Sequence, residues 1–157
     1  MSSARGGRRF DSPEQEAFLN LWRTYDRLRA LEDELFAGFD LTPQLYNLLR
    51  LLKAARPDAV PTLALAERLV SRAPDVTRML DKLEARGLVS RVRSTEDRRS
   101  VLVAVTDAGL ALLARVAAPL RACHARQLGH LSADELERLT ELLKAARAPH
   151  ETSETWS

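Results

Sequence analysis

Apolar positions recur along this chain with two periods, and the switch between them divides it into elements. Ser12, Pro13 and Gln15 read as an N-cap, a first helical residue and a capping-box partner. Behind them Leu21, Tyr25, Leu28, Leu35 and Phe39 recur at helical spacing, and Phe18, Trp22, Leu31 and Phe36 widen the stripe. So wide a stripe calls for burial on two sides, as in a dimer. Gly38 and Asp40 break this helix, and Thr42 and Pro43 open a second one whose buried face is Leu45, Leu48, Leu49 and Leu52. Pro57 to Pro61 is expected as a turn, and Thr62 as the cap of a short third helix ending near Leu69 or Val70. Ser71, Arg72 and Ala73 make a tight connection. Pro74 then opens a fourth helix running to Arg86, and Gly87 stops it as a left-handed residue.

The period then changes to that of a strand. Leu88 to Arg93 alternates in part, Val101, Val103 and Val105 alternate cleanly, and Ser94 to Ser100 is the loop between them. Helical spacing returns after Thr106, the expected cap of a fifth helix, with Leu110, Leu113, Val116, Leu120 and Cys123 on one side. Gly129 and His130 end it, Ser132 and Glu135 form a capping box, and a last helix carries Leu136, Leu139, Leu142 and Leu143 and ends before Pro149.

Two short helices joined by a tight turn, followed at once by a hairpin with a basic loop, read as a winged helix-turn-helix. The fold class expected is therefore mainly α with a small β-hairpin wing, flanked by N- and C-terminal helices. On the fourth helix Val76, Met79, Leu80 and Leu83 share one face. Opposite lie Pro74, Arg78, Asp81 and Ala85, with Thr77 and Lys82 on the flanks. A helix of this width fits the major groove of DNA, where arginine donates twice to guanine and threonine reaches a base or a thymine methyl. In the loop, Arg98 and Arg99 are free to reach outward, and an arginine gains from the concentrated negative potential of a narrow minor groove. Asp97 would repel phosphate if it pointed out, so it is expected to pair with the Arg99 guanidinium and orient it.

Composition narrows the partners. The chain has 157 residues, 45% hydrophobic and only 5% aromatic, so its core is built of Leu, Ala and Val. Net charge is +2, but its distribution is uneven. Arg5, Arg8 and Arg9 precede the first acid, and Arg86, Arg91, Arg93, Arg98 and Arg99 face only Glu96 and Asp97 between residues 86 and 99. A single cysteine excludes an intrachain disulfide and suits a reducing cytoplasm, the expected location. No signal peptide and no apolar run of about 18 residues is found, so no membrane partner is expected.

The stretch from Leu63 to Gly109 resembles the MarR family of transcriptional regulators. The resemblance is carried by Val76-Thr77-Arg78-Met79-Leu80-Asp81-Lys82-Leu83-Glu84, by Gly87-Leu88-Val89, by Asp97-Arg98-Arg99-Ser100 and by Val105-Thr106-Asp107-Ala108-Gly109. It extends over residues 12–147, read as one domain between a disordered basic tail (1–11) and a disordered end (148–157). The winged helix-turn-helix occupies about 42–105, with dimerisation helices at about 12–39 and 106–147. The resemblance implies a homodimer, a repressor bound to double-stranded DNA at a pseudo-palindromic operator and released by a small, aromatic or phenolic effector. The DNA-binding set expected is Ser71, Pro74, Asp75, Thr77, Arg78, Lys82, Arg98 and Arg99, with Asp97 orienting the wing. Ala73 stands before Pro74 where relatives often carry a capping Ser or Thr, and Asp75 adds negative charge near the DNA end.

Other chemistry is thin. Trp22, Tyr25 and Tyr46 are candidates to line an effector pocket, a dimer-core role being the other reading. Cys123 lies on the apolar stripe of its helix and reads as a buried, inert thiol; a redox-responsive regulator using it is the alternative. A protein-interaction module without DNA binding is a further alternative, opposed by Arg78 and Asp97-Arg98-Arg99. His124 and His130 are six apart and no Cys-x-x-Cys occurs, so neither metal nor any other cofactor is expected. No phosphate loop or nucleophile–base pair is present, and the chain reads as a non-enzyme.

Overall fold

The computed structural model describes residues 9–69 and 73–151, apart from the side chains of Ala73 and Pro74. Most of the two expected tails, and Ser71 and Arg72 of the expected turn, lie outside these residues. The first helix, α1 (Pro13–Ala37), starts at Ser12, whose hydroxyl accepts from Gln15 N at 3.0 Å. The reciprocal bond closes one residue early, because Gln15 Oε1 accepts from Asp11 N at 2.7 Å rather than from Ser12. The helix ends close to where Gly38 and Asp40 suggest. Asp40 is the residue that turns left-handed (φ 53°), while Gly38 stays helical. Leu41 N then donates back to Phe36 O at 2.9 Å.

Helix α2 (Pro43–Ala55) is capped by Thr42 and buries Leu45, Leu48, Leu49 and Leu52. Two expectations after it need correction. The presumed turn contains a strand, β1 (Val60–Pro61), paired antiparallel with a later strand through Val60↔Val103 and Pro61↔Leu102. Two residues are too short to show a period, and an edge strand tolerates proline. Thr62 does not cap α3 (Thr62–Arg68) but is its first residue; its hydroxyl donates to Val101 O at 3.2 Å.

Helix α4 (Ala73–Ala85) buries Val76, Leu80 and Leu83 completely, and Gly87 (φ 70°) reverses the chain. The reversal is held by Gly87 N to Glu84 O and Leu88 N to Leu83 O, both 2.9 Å. The hairpin follows as β2 (Val89–Arg93) and β3 (Val101–Val105), in register Val89↔Val105 to Arg93↔Val101, so the sheet order is β1-β3-β2.

Helix α5 (Asp107–Leu128) packs on α1 and α2, burying Leu112, Leu113, Val116, Leu120 and Cys123; Leu110 lies only half inside the stripe. Buried Gln127 joins it to α1, donating to Leu28 O at 2.9 Å while pairing with His124 Nδ1. Helix α6 (Ala133–Arg147) carries a complete Ser132–Glu135 capping box, yet none of its residues is buried. Residues 148–150, expected as the start of the disordered end at 148–157, form one 3-10 turn.

One joint ties these parts together. Thr106 N donates to Leu88 O at 3.1 Å, and its hydroxyl donates to Gly87 O at 2.6 Å while accepting from Gly109 N at 3.1 Å. A Cβ on Gly109 would lie 2.4 Å from Leu88 O and 2.6 Å from Val105 Cγ2. The start of α5 can therefore sit against the turn between α4 and β2 only with glycine at this place. Gly109→Ala is expected to cost about 2–3 kcal/mol, since backbone has to move to admit the methyl. Urea unfolding would read this as a lower midpoint with an unchanged slope.

Candidate nucleic-acid interface

The amphipathic pattern of α4 decides which side chains are available. With Val76, Leu80 and Leu83 in the core and Met79 half-buried, Asp75, Thr77, Arg78, Asp81 and Lys82 are left on the exposed side. Pro74 lies in the first turn of the helix, its side chain outside the described set, and Ser71 lies outside the described residues altogether. Asp75 occupies the first turn, where a carboxylate is favoured by the helix dipole.

The wing loop owes its shape to its own polar groups. Ser94 Oγ accepts from the N–H groups of Glu96 and Asp97, both at 3.2 Å, and Ser94 N donates to Ser100 O at 2.9 Å. Asp97 Oδ1 accepts from the backbone N–H of Arg99 at 3.0 Å. This corrects the expected side-chain pair: among the described residues no ion pair joins Asp97 to the Arg99 guanidinium. An aspartate two residues back reaches its neighbour's amide more directly than the end of a long side chain. Arg98 and Arg99 stay exposed.

Thr77 and Arg99 open onto one groove, together with Thr62, Leu63, Arg91, Ser100 and Val101. Leu63 is 76% exposed there. It stands two residues before the buried Leu65, off the inward register of α3, which is the only sign of it in the sequence.

The basic stretch divides. Arg91 Nη2 lies 2.7 Å from Asp81 Oδ1 and 3.0 Å from Glu84 Oε1, and its Nε donates to Glu84 Oε2 at 3.1 Å. That fork fastens β2 to the exposed side of α4 and neutralises two of the helix's acids. The hydrogen bonds from Arg91 hold the Glu84 carboxyl below its ordinary range. Arg86, though exposed, is also engaged within the chain, donating to the carbonyls of Phe39 and Asp40. Sequence spacing shows neither tie, because the partners lie on different elements.

The three aromatic effector candidates do not converge. Trp22 and Tyr25 line an apolar groove with Phe18, Leu21, Leu143, Ala146 and Arg147, between α1 and α6. Tyr46 is not among these residues; it stacks on Phe36, ring centroids 5.0 Å apart. Cys123 is buried, and its thiol pKa is pushed up by burial first and by the Glu32 carboxylate second. Among the described residues no group of three or more His, Cys, Asp or Glu is placed to hold a metal.

Known proteins resemble the chain along most of its length. The model of the MarR family matches residues 41–101. An uncharacterized HTH-type transcriptional regulator of Bacillus subtilis, YkoM, is 32% identical over 144 residues, covering 87% of this chain and 90% of that protein. The crystal structure of a MarR transcription factor from Planctomyces limnophilus is 55% identical, with a TM-score of 0.70, covering 87% of this chain and 99% of the other. A mutant MarR from E. coli, solved in complex with operator DNA, is 26% identical, with a TM-score of 0.76 and coverage of 83% and 93%.

Two outcomes follow from the site. Arg91→Met is expected to lower the melting temperature at neutral pH. A depressed carboxylate pKa contributes stability above the unfolded value and loses it as pH falls through the folded one. The gap between wild type and Arg91→Met should therefore close below about pH 4, and thermal melts across that range measure it. Cys123 is expected to react slowly with a thiol reagent in the native protein and at once in denaturant. Rapid native labelling would contradict its burial.

Proposed function

The chain belongs to the MarR family of transcriptional regulators, which are not enzymes, and we propose that it acts as a homodimeric, cytoplasmic repressor of a pseudo-palindromic operator. The observation that carries this reading is the groove shared by Thr77 of α4 and Arg99 of the wing. One double-stranded segment placed against it meets a recognition helix in the major groove and a wing in the flanking minor groove. Arg78 and Lys82 supply charge on the helix, and Arg98 and Arg99 on the wing. Arg91 does not join them, since its guanidinium is committed to two carboxylates.

Assembly as a dimer is supported by surface that the single chain leaves uncovered. Phe18, Trp22 and Tyr25 are 62%, 63% and 60% exposed along the first half of α1, and Leu142 of α6 is 51% exposed. Apolar rings in such a row are costly in water and mark an interface. Trp22 and Tyr25 serve this dimer core. Release by a small phenolic effector rests on the family resemblance, and such a ligand weakens DNA binding only if it prefers a geometry that DNA does not. The buried thiol speaks against the redox reading.

The test is selection of duplexes from a random pool by the purified protein, then titration of the selected duplex. Failure to enrich any sequence would refute the reading. Arg78→Ala is expected to cost roughly 1–3 kcal/mol per subunit and to relax preference at one position of each half-site. Arg99→Ala should weaken binding with little change of major-groove preference and flatten the salt dependence by about one counterion per subunit. Asp97→Ala should weaken binding although it removes a negative charge, whereas Asp97→Asn, which keeps an acceptor for the Arg99 amide, should retain it. Tighter binding by Asp97→Ala would exclude an ordering role for this side chain. Light scattering at micromolar concentration should report a dimer, and a stable monomer would remove that part of the proposal.

A further inference from the structure

Arg86 stands where α4 ends and Gly87 turns the chain, at the start of the basic stretch between residues 86 and 99. Its guanidinium goes elsewhere. Nη1 donates to Asp40 O at 2.5 Å and Nη2 to Phe39 O at 3.2 Å, so both arms clasp successive carbonyls just past the end of α1. Those carbonyls lie at the negative end of a helix of 25 residues whose own last turn holds no basic residue. A cation there is favoured by the helix dipole and by the carbonyls it satisfies. Arg86 supplies it from another element. Asp40, the second acceptor, is in the left-handed conformation (φ 53°).

Among the described residues these two bonds are the side-chain hydrogen bonds joining the end of α4 to the end of α1. Around them, α1 packs chiefly on α2 and α5. We propose that Arg86 is a positioning residue that sets the angle of the recognition helix against α1, and through α1 the separation of the two recognition helices in the dimer. The inference rests on the DNA-binding, dimeric reading above. A planar fork suits this task, because its donors hold two acceptors in one fixed plane, whereas the three donors of an ammonium group rotate on a flexible stem and impose no such plane.

The experiment uses the duplex selected by the wild-type protein and two derivatives with one base pair inserted or removed between the half-sites. Wild type, Arg86→Lys and Arg86→Ala are titrated on all three at several salt concentrations, with the melting temperature and oligomeric state of each checked. Wild type is expected to discriminate sharply against both altered spacings. Arg86→Ala should lose roughly 3- to 30-fold on the selected duplex, bind the altered ones with a much smaller further penalty, and keep the wild-type salt dependence. Arg86→Lys should fall between and keeps the proposal testable if the alanine variant fails to fold. Unchanged spacing discrimination in the variants would overturn the inference whatever the loss of affinity. A salt dependence flattened by about one counterion per subunit would overturn it too, since Arg86 would then be touching phosphate. If wild type selects no duplex, the DNA-binding reading fails first and this inference with it; if it selects one and discriminates spacing equally with and without Arg86, only this inference fails.

Discussion

The hydroxyl and amide of Thr106, held against the carbonyls of Gly87 and Leu88, are the contact on which the rest of this molecule depends. Three directions are set there at once: α4 arriving, β2 leaving and α5 starting. Thr106 is the last residue before α5, and its hydroxyl caps that helix while bonding the turn. Gly109 keeps the approach open, since any side chain would strike Leu88 O. A polar cap, a left-handed glycine and a missing methyl thus act as one unit. They make the angle between α4, the hairpin and α5 a local property instead of a consequence of loose packing.

On that frame the arginines between residues 86 and 99 divide their work by what each can reach. Arg86 and Arg91 have fixed acceptors within 3.2 Å, carbonyls in one case and carboxylates in the other, and become struts. Arg98 and Arg99 project from a loop ordered by its own serine and aspartate, and stay exposed. A charge already matched by two carboxylates adds little to the field seen by DNA. The free basic surface is therefore narrower than the sequence suggests, and it lies on a helix and hairpin that are fastened to each other.

What the sequence made legible was local. The caps at Ser12, Thr42, Thr106 and Ser132, the stop at Gly87 and the buried faces of α2 and α4 follow from spacing and turn chemistry, and the structure contains them. Contacts between elements were not legible. Thr62 carries a capping side chain, but Val101 O across the sheet is the acceptor it finds. Strand β1 exists only because β3 presents an open edge to it. Charge alone matches Asp97 to a guanidinium, but the nearer donor is an amide. Trp22, Tyr25 and Tyr46 share a chemistry, but the chain direction puts the first two on the outer half of α1 and the third against Phe36.

The long helices complete the picture. The second half of α1 is anchored, with Phe36 buried and Gln127 of α5 reaching the Leu28 carbonyl. Its first half is exposed and no residue of α6 is buried, although both carry large apolar residues. A helix held at one end and bare at the other is a lever. Whatever covers its bare half determines where that half rests, and the anchored half passes the position to the core. If a second copy supplies the cover, the same α1 that binds the subunits together ends at the carbonyls that Arg86 holds. Subunit separation and recognition-helix angle are then two readings of one rigid element, and a change at either end is felt at the other.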